Sequence, residues 1–232
     1  MQEFEASKLV FPAMDQFGNL IPYESLFIPY IYKEIYIDKV YEGLLQPGMT
    51  IVDIGANMGI TVEYFQTFAK RLLAVEPSPE YFFALGENKK KFKWNNVELF
   101  NFAIADKDGE MEFAMNIANR TMNTLVVDDK PLLGNYGGYA NKFKVITRSI
   151  DSFFEENGLD KIDFMKLDTE GAEEMILRSE GFRKVAPTIS AFEAEFHLPQ
   201  WEDLMAYVKS LGFEAKIFES LGHVILFTRR DQ

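Results

Sequence analysis

The stretch Thr50-Ile-Val-Asp-Ile-Gly-Ala-Asn-Met-Gly59 decides the fold of this chain. Its first half, Thr50–Ile54, is a short β-branched and apolar run, typical of a strand buried on both faces of a parallel sheet. Asp53 interrupts that run near its carboxyl end, the edge at which open α/β sheets bind their ligands. Gly55 and Gly59 bracket a tight turn, and a helical pattern follows. The stretch therefore predicts a strand, a glycine turn and a helix that bind a nucleotide.

The spacing within the turn distinguishes between two kinds of nucleotide. A dinucleotide site would read G-x-G-x-x-G, whereas here the pattern from Asp53 to Gly59 is D-x-G-x-x-x-G, with Asn57 in place of the second glycine. A carboxylate there would repel a pyrophosphate, but it suits the cationic amino group and sulfonium of S-adenosylmethionine (SAM). The next predicted strand, 71–76, ends at Glu76, where a carboxylate can accept hydrogen bonds from ribose hydroxyls. These features favour SAM over NAD.

Composition limits the classes of protein that the chain could be. Its 232 residues suffice for one α/β domain with a well-buried core, and 47% hydrophobic residues argue against disorder over most of the chain. A net charge of −12 argues against nucleic acid or an anionic membrane as partner. Cysteine is absent, which excludes disulfides and thiolate metal sites. With no apolar signal region at the N-terminus, we expect a cytoplasmic protein.

The chain divides into a lead-in and a domain. Residues 1–46 are rich in aromatic residues, and they either cover the pocket, contribute to a homodimer contact or simply pack in the core. Residues 47–232 form the predicted domain. Within it, the polar stretch 116–142 is long enough to be a substrate loop.

Strand and helix patterns alternate through the domain, as in βα units. The predicted strands are 50–54, 71–76, 97–102, 110–115, 144–149, 163–167, 188–194, 214–218 and 224–228, and the predicted helices are 31–45, 59–69, 79–92, 150–157 and 201–211. A short connection at Gly222 makes the last two strands antiparallel.

Polar residues lie at the carboxyl ends of three predicted strands and should converge on one cleft: Asp53; Lys166, Asp168 and Glu170; and Glu195 and His197. They form a candidate acid–base cluster. For the acids, helix capping is the alternative, and for His197 a core or surface position. A metal could also bind Asp168, Glu170, Glu195 and His197, but no H-x-x-H spacing supports this, and we expect none.

Several motifs together resemble one family, the FkbM-type SAM-dependent methyltransferases. The motifs are Val52-Asp-Ile-Gly-Ala-Asn-Met-Gly59, Glu76-Pro77, Asn88, Asn101-Phe-Ala-Ile104, Lys166-Leu-Asp-Thr-Glu-Gly-Ala-Glu173 and Glu195-Phe-His197, over roughly residues 40–200. The resemblance implies a class I, Rossmann-like fold: a seven-stranded, mostly parallel sheet flanked by helices, with the last strand antiparallel. It also implies SAM-dependent O-methylation of a hydroxyl on a small molecule, a sugar or glycan, or a polyketide-type acceptor.

The resemblance further implies which residues form the site. The cofactor-binding residues would be Asp53, Gly55, Ala56, Asn57 and Gly59 around the methionine part, Glu76 at the ribose, and Pro77, Ser78, Asn101 and Ala103 towards the adenosine. Lys166, Asp168, Glu170 and His197 would line the acceptor side. Asp168 is the first candidate for the base or for orienting the acceptor, His197 is the second, and Lys166 would orient Asp168 or stabilise the developing alkoxide.

Two other functions remain open from the sequence. One is a SAM- or nucleotide-binding module without catalysis, which the intact acids at three strand ends disfavour. The other is an NAD-dependent oxidoreductase, which the missing G-x-G-x-x-G disfavours.

Overall fold

The computed structural model describes residues 8–12, 14, 28–116, 118–134, 138–197, 201–218 and 224–230. The predicted turn at Gly222 lies outside the described residues. The strands are β1 (Met49–Ile54), β2 (Ala69–Val75), β3 (Val97–Phe100), β4 (Ala103–Ala105), β5 (Gly109–Asn116), β6 (Thr124–Val127), β7 (Lys130–Pro131), β8 (Tyr139–Ser149), β9 (Phe164–Leu167), β10 (Ala191–Glu195), β11 (Phe213–Ile217) and β12 (Val224–Arg229).

The main sheet has seven strands in the order β3-β2-β1-β9-β10-β12-β11. Strands β3, β2, β1, β9 and β10 run parallel, whereas β12 is antiparallel to both β10 and β11. The predicted seven-stranded, mostly parallel sheet with an antiparallel last strand is therefore confirmed. Strand β1 is the middle one of the five parallel strands, and its Ile51 and Val52 are fully buried on opposite faces.

The α-helices are α1 (Ile28–Tyr32), α2 (Ile60–Phe65), α3 (Pro79–Phe92), α4 (Ile150–Glu156), α5 (Glu173–Arg178), α6 (Glu180–Val185) and α7 (Trp201–Ser210). Helix α1 precedes the first strand, and the other α-helices lie in the connections between strands. Helix α2 is shorter than the predicted helix 59–69, because the chain turns after Phe65 and already enters β2 at Ala69. Among the described helices, none is both long and apolar enough to span a bilayer.

A second sheet, in the order β4-β8-β5-β6-β7, corrects two of the sequence predictions. The predicted strand 97–102 is too long, because β3 ends at Phe100 in the main sheet, and a separate strand, β4, begins at Ala103 and pairs with β8 in the second sheet. The stretch 116–142 is not one irregular loop, since it contains β6, β7 and the start of β8. Its polar composition concealed Leu125 and Val126, two apolar residues that are buried in β6.

The N-terminal segment, defined here as residues 28–45, corrects the predicted helix 31–45. Helix α1 continues only into a π-helical turn, Lys33–Ile37, and turns follow it. Lys39 and Gly43 both have positive φ angles, which a continuing helix does not allow. The segment is nevertheless firmly packed, because Ile35 and Tyr41 are buried in the core.

Gly55 follows β1, and the backbone geometry at this position requires glycine. Its φ is +87°, and a Cβ atom there would overlap the backbone carbonyl oxygen of Asp168. We expect Gly55→Ala to cost roughly 3 kcal/mol or more, because strain and a backbone clash add together. Gly43→Ala is the matched control, since its φ is +80° but nothing lies within 4 Å of its added Cβ.

Denaturant unfolding of both variants tests this expectation. The control should lose only about 1 kcal/mol, from the left-handed backbone alone. Equal losses in the two variants would show that close contact at Gly55 does not limit the fold.

Candidate active site

A cavity of about 360 Å³ opens at the carboxyl ends of β1, β9 and β10. Its walls come from the turns after β1 and β2, from the second sheet and from the N-terminal segment. The sequence prediction placed the site at this edge because parallel strands present their carboxyl ends together.

One half of the cavity is built on Glu76, which ties two turns together. The backbone N–H of Asn57 donates to Glu76 Oε2 at 2.8 Å, and the N–H of Ser78 donates to Oε1 at 2.7 Å. Burial raises the pKa of Glu76 to about 8, although both backbone hydrogen bonds lower it. This carboxyl group is therefore poorly solvated at the cavity wall, where hydroxyl donors from a ligand would stabilise its charge.

Asp53 lies deeper in the protein than its predicted role, direct contact with the methionine part of SAM, would require. It is fully buried and is not among the residues that line the cavity. Thr61 Oγ1 donates to Asp53 Oδ2 at 2.5 Å, and Thr61 itself lines the cavity. Burial raises the pKa of Asp53, although Lys166 and the Thr61 hydrogen bond lower it. Asp53 thus stands behind the cavity wall.

The ten predicted cofactor-binding residues fall into two groups. Those that line the cavity are Gly55, Ala56, Asn57, Glu76, Pro77 and Ala103, and those that do not are Asp53, Gly59, Ser78 and Asn101. Gly59 packs so closely that an added Cβ would lie 2.7 Å from Leu85 Cδ1. Asn101 Nδ2 donates to the carbonyl oxygen of Glu76 at 2.8 Å. Gly59, Ser78 and Asn101 therefore support the turns from outside the cavity.

The other half of the cavity centres on an ion pair between Lys166 and Asp168. Lys166 Nζ lies 2.7 Å from Asp168 Oδ2, and the lysine side chain is only 8% exposed. In the sheet register, Lys166 lies between Asp53 on β1 and Glu193 on β10. Burial would lower the pKa of Lys166, but Asp168, Asp53 and Glu193 outweigh it and raise the pKa. Lys166 is therefore a permanent cation in the site.

Asp168 is held ionised by this arrangement. Burial would raise its pKa, but the Lys166 ammonium and His197 outweigh burial and hold the pKa below its usual value. Its Oδ2 bonds to Lys166, whereas its Oδ1 is buried without a hydrogen-bond partner among the described residues. Asp168 lines the cavity, so this oxygen is available to a ligand donor.

His197 lies among three carboxylates. Its Nδ1 is 3.3 Å from Glu173 Oε1, and its Nε2 is 3.3 Å from Glu170 Oε2 and 3.5 Å from Glu195 Oε1. Burial would lower the pKa of His197, but hydrogen bonds to Glu173 and Glu195 outweigh it and raise the pKa well above its usual value. The imidazole is therefore protonated at neutral pH and is poorly placed to act as a base.

The loop after β9 is held by Glu173, a residue whose role the sequence did not reveal. Glu173 is buried, and its Oε1 accepts hydrogen bonds from the N–H and the hydroxyl of Thr169, both at 2.9 Å. The N–H of Gly171 donates to its Oε2 at 3.1 Å. Glu170 between them has a left-handed φ of 56°. These contacts aim Glu170 and His197 into the cavity.

Among the lining residues that sequence reasoning missed are Glu34, Tyr41 and Glu193. Tyr41 Oη donates to Glu193 Oε2 at 3.1 Å. Burial raises the pKa of Glu34 to about 7 and that of Glu193 to about 8. The alternation of β10 could have indicated Glu193, which lies two residues before Glu195 and on the same face. The N-terminal segment carries no sequence motif that could have indicated Glu34 or Tyr41.

A metal could in principle be held by Asp168, Glu170 and His197. One ligand atom from each lies within 4.8 Å of the others, and this is the only such group among the described residues. Lys166 and the protonated His197, however, already supply positive charge to these carboxylates. The absence of a metal from the reaction remains a prediction.

A glycine turn, an acid after the second strand and an acid–base cluster on a seven-stranded sheet of this order define a class I SAM-dependent methyltransferase. The methyltransferase FkbM domain matches residues 53–215, which is more than half of the chain. The chain belongs to the FkbM methyltransferase family, and its cofactor is SAM.

Individual relatives are distant. Methyltransferase 1 of Beauveria bassiana is 25% identical over 68% of this chain and 69% of its own length. The 2-O-methyltransferase NoeI of Sinorhizobium fredii is 27% identical, over 58% of each chain. The crystal structure of the FkbM methyltransferase from Methylobacillus flagellatus has a TM-score of 0.54 at 15% identity, covering 87% of this chain and 52% of that one. This structure supports the fold alone.

The buried Glu193 makes the stability of the folded protein depend on pH. Its pKa is about 8 in the folded state, against an ordinary value of 4.5. Between these values the folded state holds a proton that the unfolded state has lost, so this group makes stability fall as pH rises from about 5 to 8. Glu193→Gln stays neutral, and its amide oxygen can still accept from Tyr41. We expect it to raise the melting temperature at pH 8 relative to wild type, and by less at pH 5.

Thermal unfolding at the two pH values measures this difference. Glu112→Gln is the control, because the Glu112 side chain is 47% exposed. A gain from Glu193→Gln that is the same at both pH values would contradict the assignment.

Proposed function

We propose that this methyltransferase transfers the SAM methyl group to a hydroxyl oxygen of a small-molecule acceptor, such as a sugar or glycan or a polyketide-type compound. The observation that carries the proposal is that one cavity joins the glycine turn and Glu76 to the Lys166–Asp168 pair. The relative named 2-O-methyltransferase NoeI supports an oxygen acceptor.

The cofactor is expected in the half of the cavity nearest β1 and β2. The methionine part of SAM would lie against Gly55, Ala56 and Asn57, and the ribose hydroxyls would donate to Glu76. The adenine end would extend towards Pro77 and Ala103, which line the same half. Asp53 would act indirectly, through Thr61 and Lys166, because it does not reach the cavity.

Methyl transfer requires that the donor and the acceptor are aligned and that the acceptor hydroxyl loses its proton. The acceptor oxygen attacks the methyl carbon, the new C–O bond forms as the C–S bond breaks, and the hydroxyl proton passes to Asp168 Oδ1. Alignment of donor and acceptor supplies much of the acceleration. Asp168 is a weak base, but it can accept the proton while the C–O bond forms. Lys166 fixes the other oxygen of Asp168 and so orients the carboxylate.

His197 is proposed to position the acceptor side. Because it is protonated, it pairs with the carboxyl groups of Glu170 and Glu195 and has no lone pair for the acceptor's proton. Glu173 fixes its ring through Nδ1. Asp168 is therefore the leading candidate for the base.

The role of Glu76 leads to a test of cofactor binding. Glu76→Gln removes the charge that ribose hydroxyls would meet, so we expect SAM binding to weaken by about 1–3 kcal/mol, or roughly 5- to 150-fold. Calorimetry with purified protein measures the affinity. Glu98→Gln is the control, since Glu98 pairs with Arg71 at the surface, away from the cavity.

Thermal unfolding without ligand shows whether Glu76→Gln also disturbs the two turns. If the folded variant binds SAM as tightly as wild type, Glu76 does not hold the ribose.

The role of Asp168 leads to a test of catalysis. Incubating a cell extract with isotopically labelled SAM and identifying the labelled product by mass spectrometry gives the acceptor. With that acceptor, Asp168→Asn should lower kcat by roughly 10²–10⁴, because shape is kept and the base is lost. SAM affinity should change by less than about threefold.

His197→Gln is the comparison variant, and its loss of kcat should be smaller. If Asp168→Asn keeps nearly full turnover at saturating acceptor, another group takes the proton. A labelled product that carries its methyl group on nitrogen or carbon would reject O-methylation.

A further inference from the structure

The wall of the cavity that faces β9 and β10 comes from the N-terminal segment. Tyr30, Ile31, Glu34, Ile35 and Tyr41 all line the cavity beside Lys166 and Asp168. The segment precedes residue 53, where the match to the FkbM domain begins. The side chains that complete this half of the cavity are therefore supplied from outside the matched domain.

The N-terminal segment is fixed to the sheet by several contacts. The Tyr41 ring packs edge-on against Phe65 and Phe164, with centroid distances of 4.8 and 6.0 Å. Its hydroxyl donates to Glu193 on β10. Ile28 and Ile35 are buried in the same core cluster. Because its anchors are buried, the segment presents Glu34 to the cavity at a defined position.

Glu34 is an acid that has no cation of its own among the described residues. The lysine whose charge acts on it, Lys166, is already bonded to Asp168 at 2.7 Å. Burial and the charge of Glu195 together raise the pKa of Glu34 to about 7, although Lys166 lowers it. A half-buried acid in such surroundings is stabilised by a ligand that donates hydrogen bonds or carries positive charge.

The charged groups in the surrounding wall also favour a ligand that donates hydrogen bonds or carries positive charge. The carboxyl groups on this side of the cavity are Glu34, Asp168, Glu170, Glu193 and Glu195, and the cations are Lys166 and His197. An anionic group beside Glu34 would meet the carboxylates of Asp168 and Glu195, and it could not donate the hydrogen bond that a poorly hydrated carboxyl group needs. Beside Glu34, Tyr30 and Ile31 offer an apolar and aromatic surface on which a compact ring can pack.

We propose that Glu34, with Tyr30, Ile31 and Ile35, forms a specificity subsite for the acceptor. Glu34 accepts a hydrogen bond from a hydroxyl or ammonium group next to the hydroxyl that is methylated, and the subsite rejects anionic acceptors. The acceptor class is therefore a neutral polyol or an amine-bearing alcohol. This inference rests on the proposed transfer to a hydroxyl, since it assigns a second contact to the same acceptor.

A matched series of ring compounds tests the subsite. Glucosamine, glucose and glucuronate share one ring scaffold and can be compared as a cation, a neutral polyol and an anion. Binding of each to the protein loaded with S-adenosylhomocysteine is measured by saturation-transfer NMR at pH 7.5, above the pKa of about 7 of Glu34, so that its carboxylate is mostly ionised. We expect wild type to bind glucosamine at least about tenfold more tightly than glucuronate, with glucose between them.

Two variants and a control assign that preference to Glu34. Glu34→Gln should reduce the preference to less than about threefold, and Glu34→Lys should reverse it. Glu42→Gln is the matched control on the same segment, because Glu42 is 67% exposed and pairs with Lys39. It should leave the preference unchanged. Circular dichroism of each variant verifies that it is folded.

The proposal is overturned if wild type binds none of the three compounds, if it shows no preference, or if both folded Glu34 variants keep the wild-type preference. The proposed reaction is tested separately by the labelled product. If the charge preference depends on Glu34 but the product is not an O-methyl compound, only the reaction is wrong.

Discussion

The site depends on one buried cation, Lys166, which lies between the carboxylates of two neighbouring strands. Lys166 is paired in the sheet with Asp53 on β1 and with Glu193 on β10. Its ammonium group also bonds to Asp168, which follows the end of β9. Removing the charge would leave three carboxylates close together in a poorly hydrated interior, and breaking such a network commonly costs 3–5 kcal/mol. The same ammonium holds Asp168 ionised, so the interaction that stabilises the centre of the sheet also prepares the candidate base.

A backbone contact couples the two halves of the cavity. The turn after β1 passes so close to the carbonyl of Asp168 that only glycine fits at position 55. The N–H of Asp168 in turn donates to the carbonyl of Ile54 at 3.1 Å. The turn that we propose binds the cofactor and the candidate base Asp168 are thus fixed to each other through main-chain atoms. Methyl transfer requires this precision, because a displacement of about 1 Å between reacting atoms can cost 10²-fold in rate.

The sequence predicted most of the sheet and one half of the site, and its failures have physical reasons. The run Thr50–Ile54 and the polar strand ends predicted the central strand and the cavity edge, because periodicity and strand ends are local signals. Periodicity shows which face a residue occupies but not its depth, so Asp53 was expected in the cavity and lies behind its wall. Strands β6 and β7 were hidden because they have only four and two residues and lie in a mainly polar stretch, so neither shows a clear alternation. Glu34 could not be found, since its position depends on how Tyr41 docks against the sheet.

The excess of carboxylates also bears on how a turnover ends. SAM carries a sulfonium charge that S-adenosylhomocysteine lacks, so the same acidic cavity attracts the cofactor more strongly than the demethylated product. In the proposed reaction, the proton released by the acceptor moves onto Asp168, and the positive charge that leaves the sulfur therefore remains in the cavity until that proton escapes. Loss of the proton to solvent then leaves a neutral thioether among carboxylates that no longer have a cationic ligand. In the proposed reaction, product release and proton release would be coupled by this electrostatic balance, and the coupling would follow from the same buried charges that orient the candidate base.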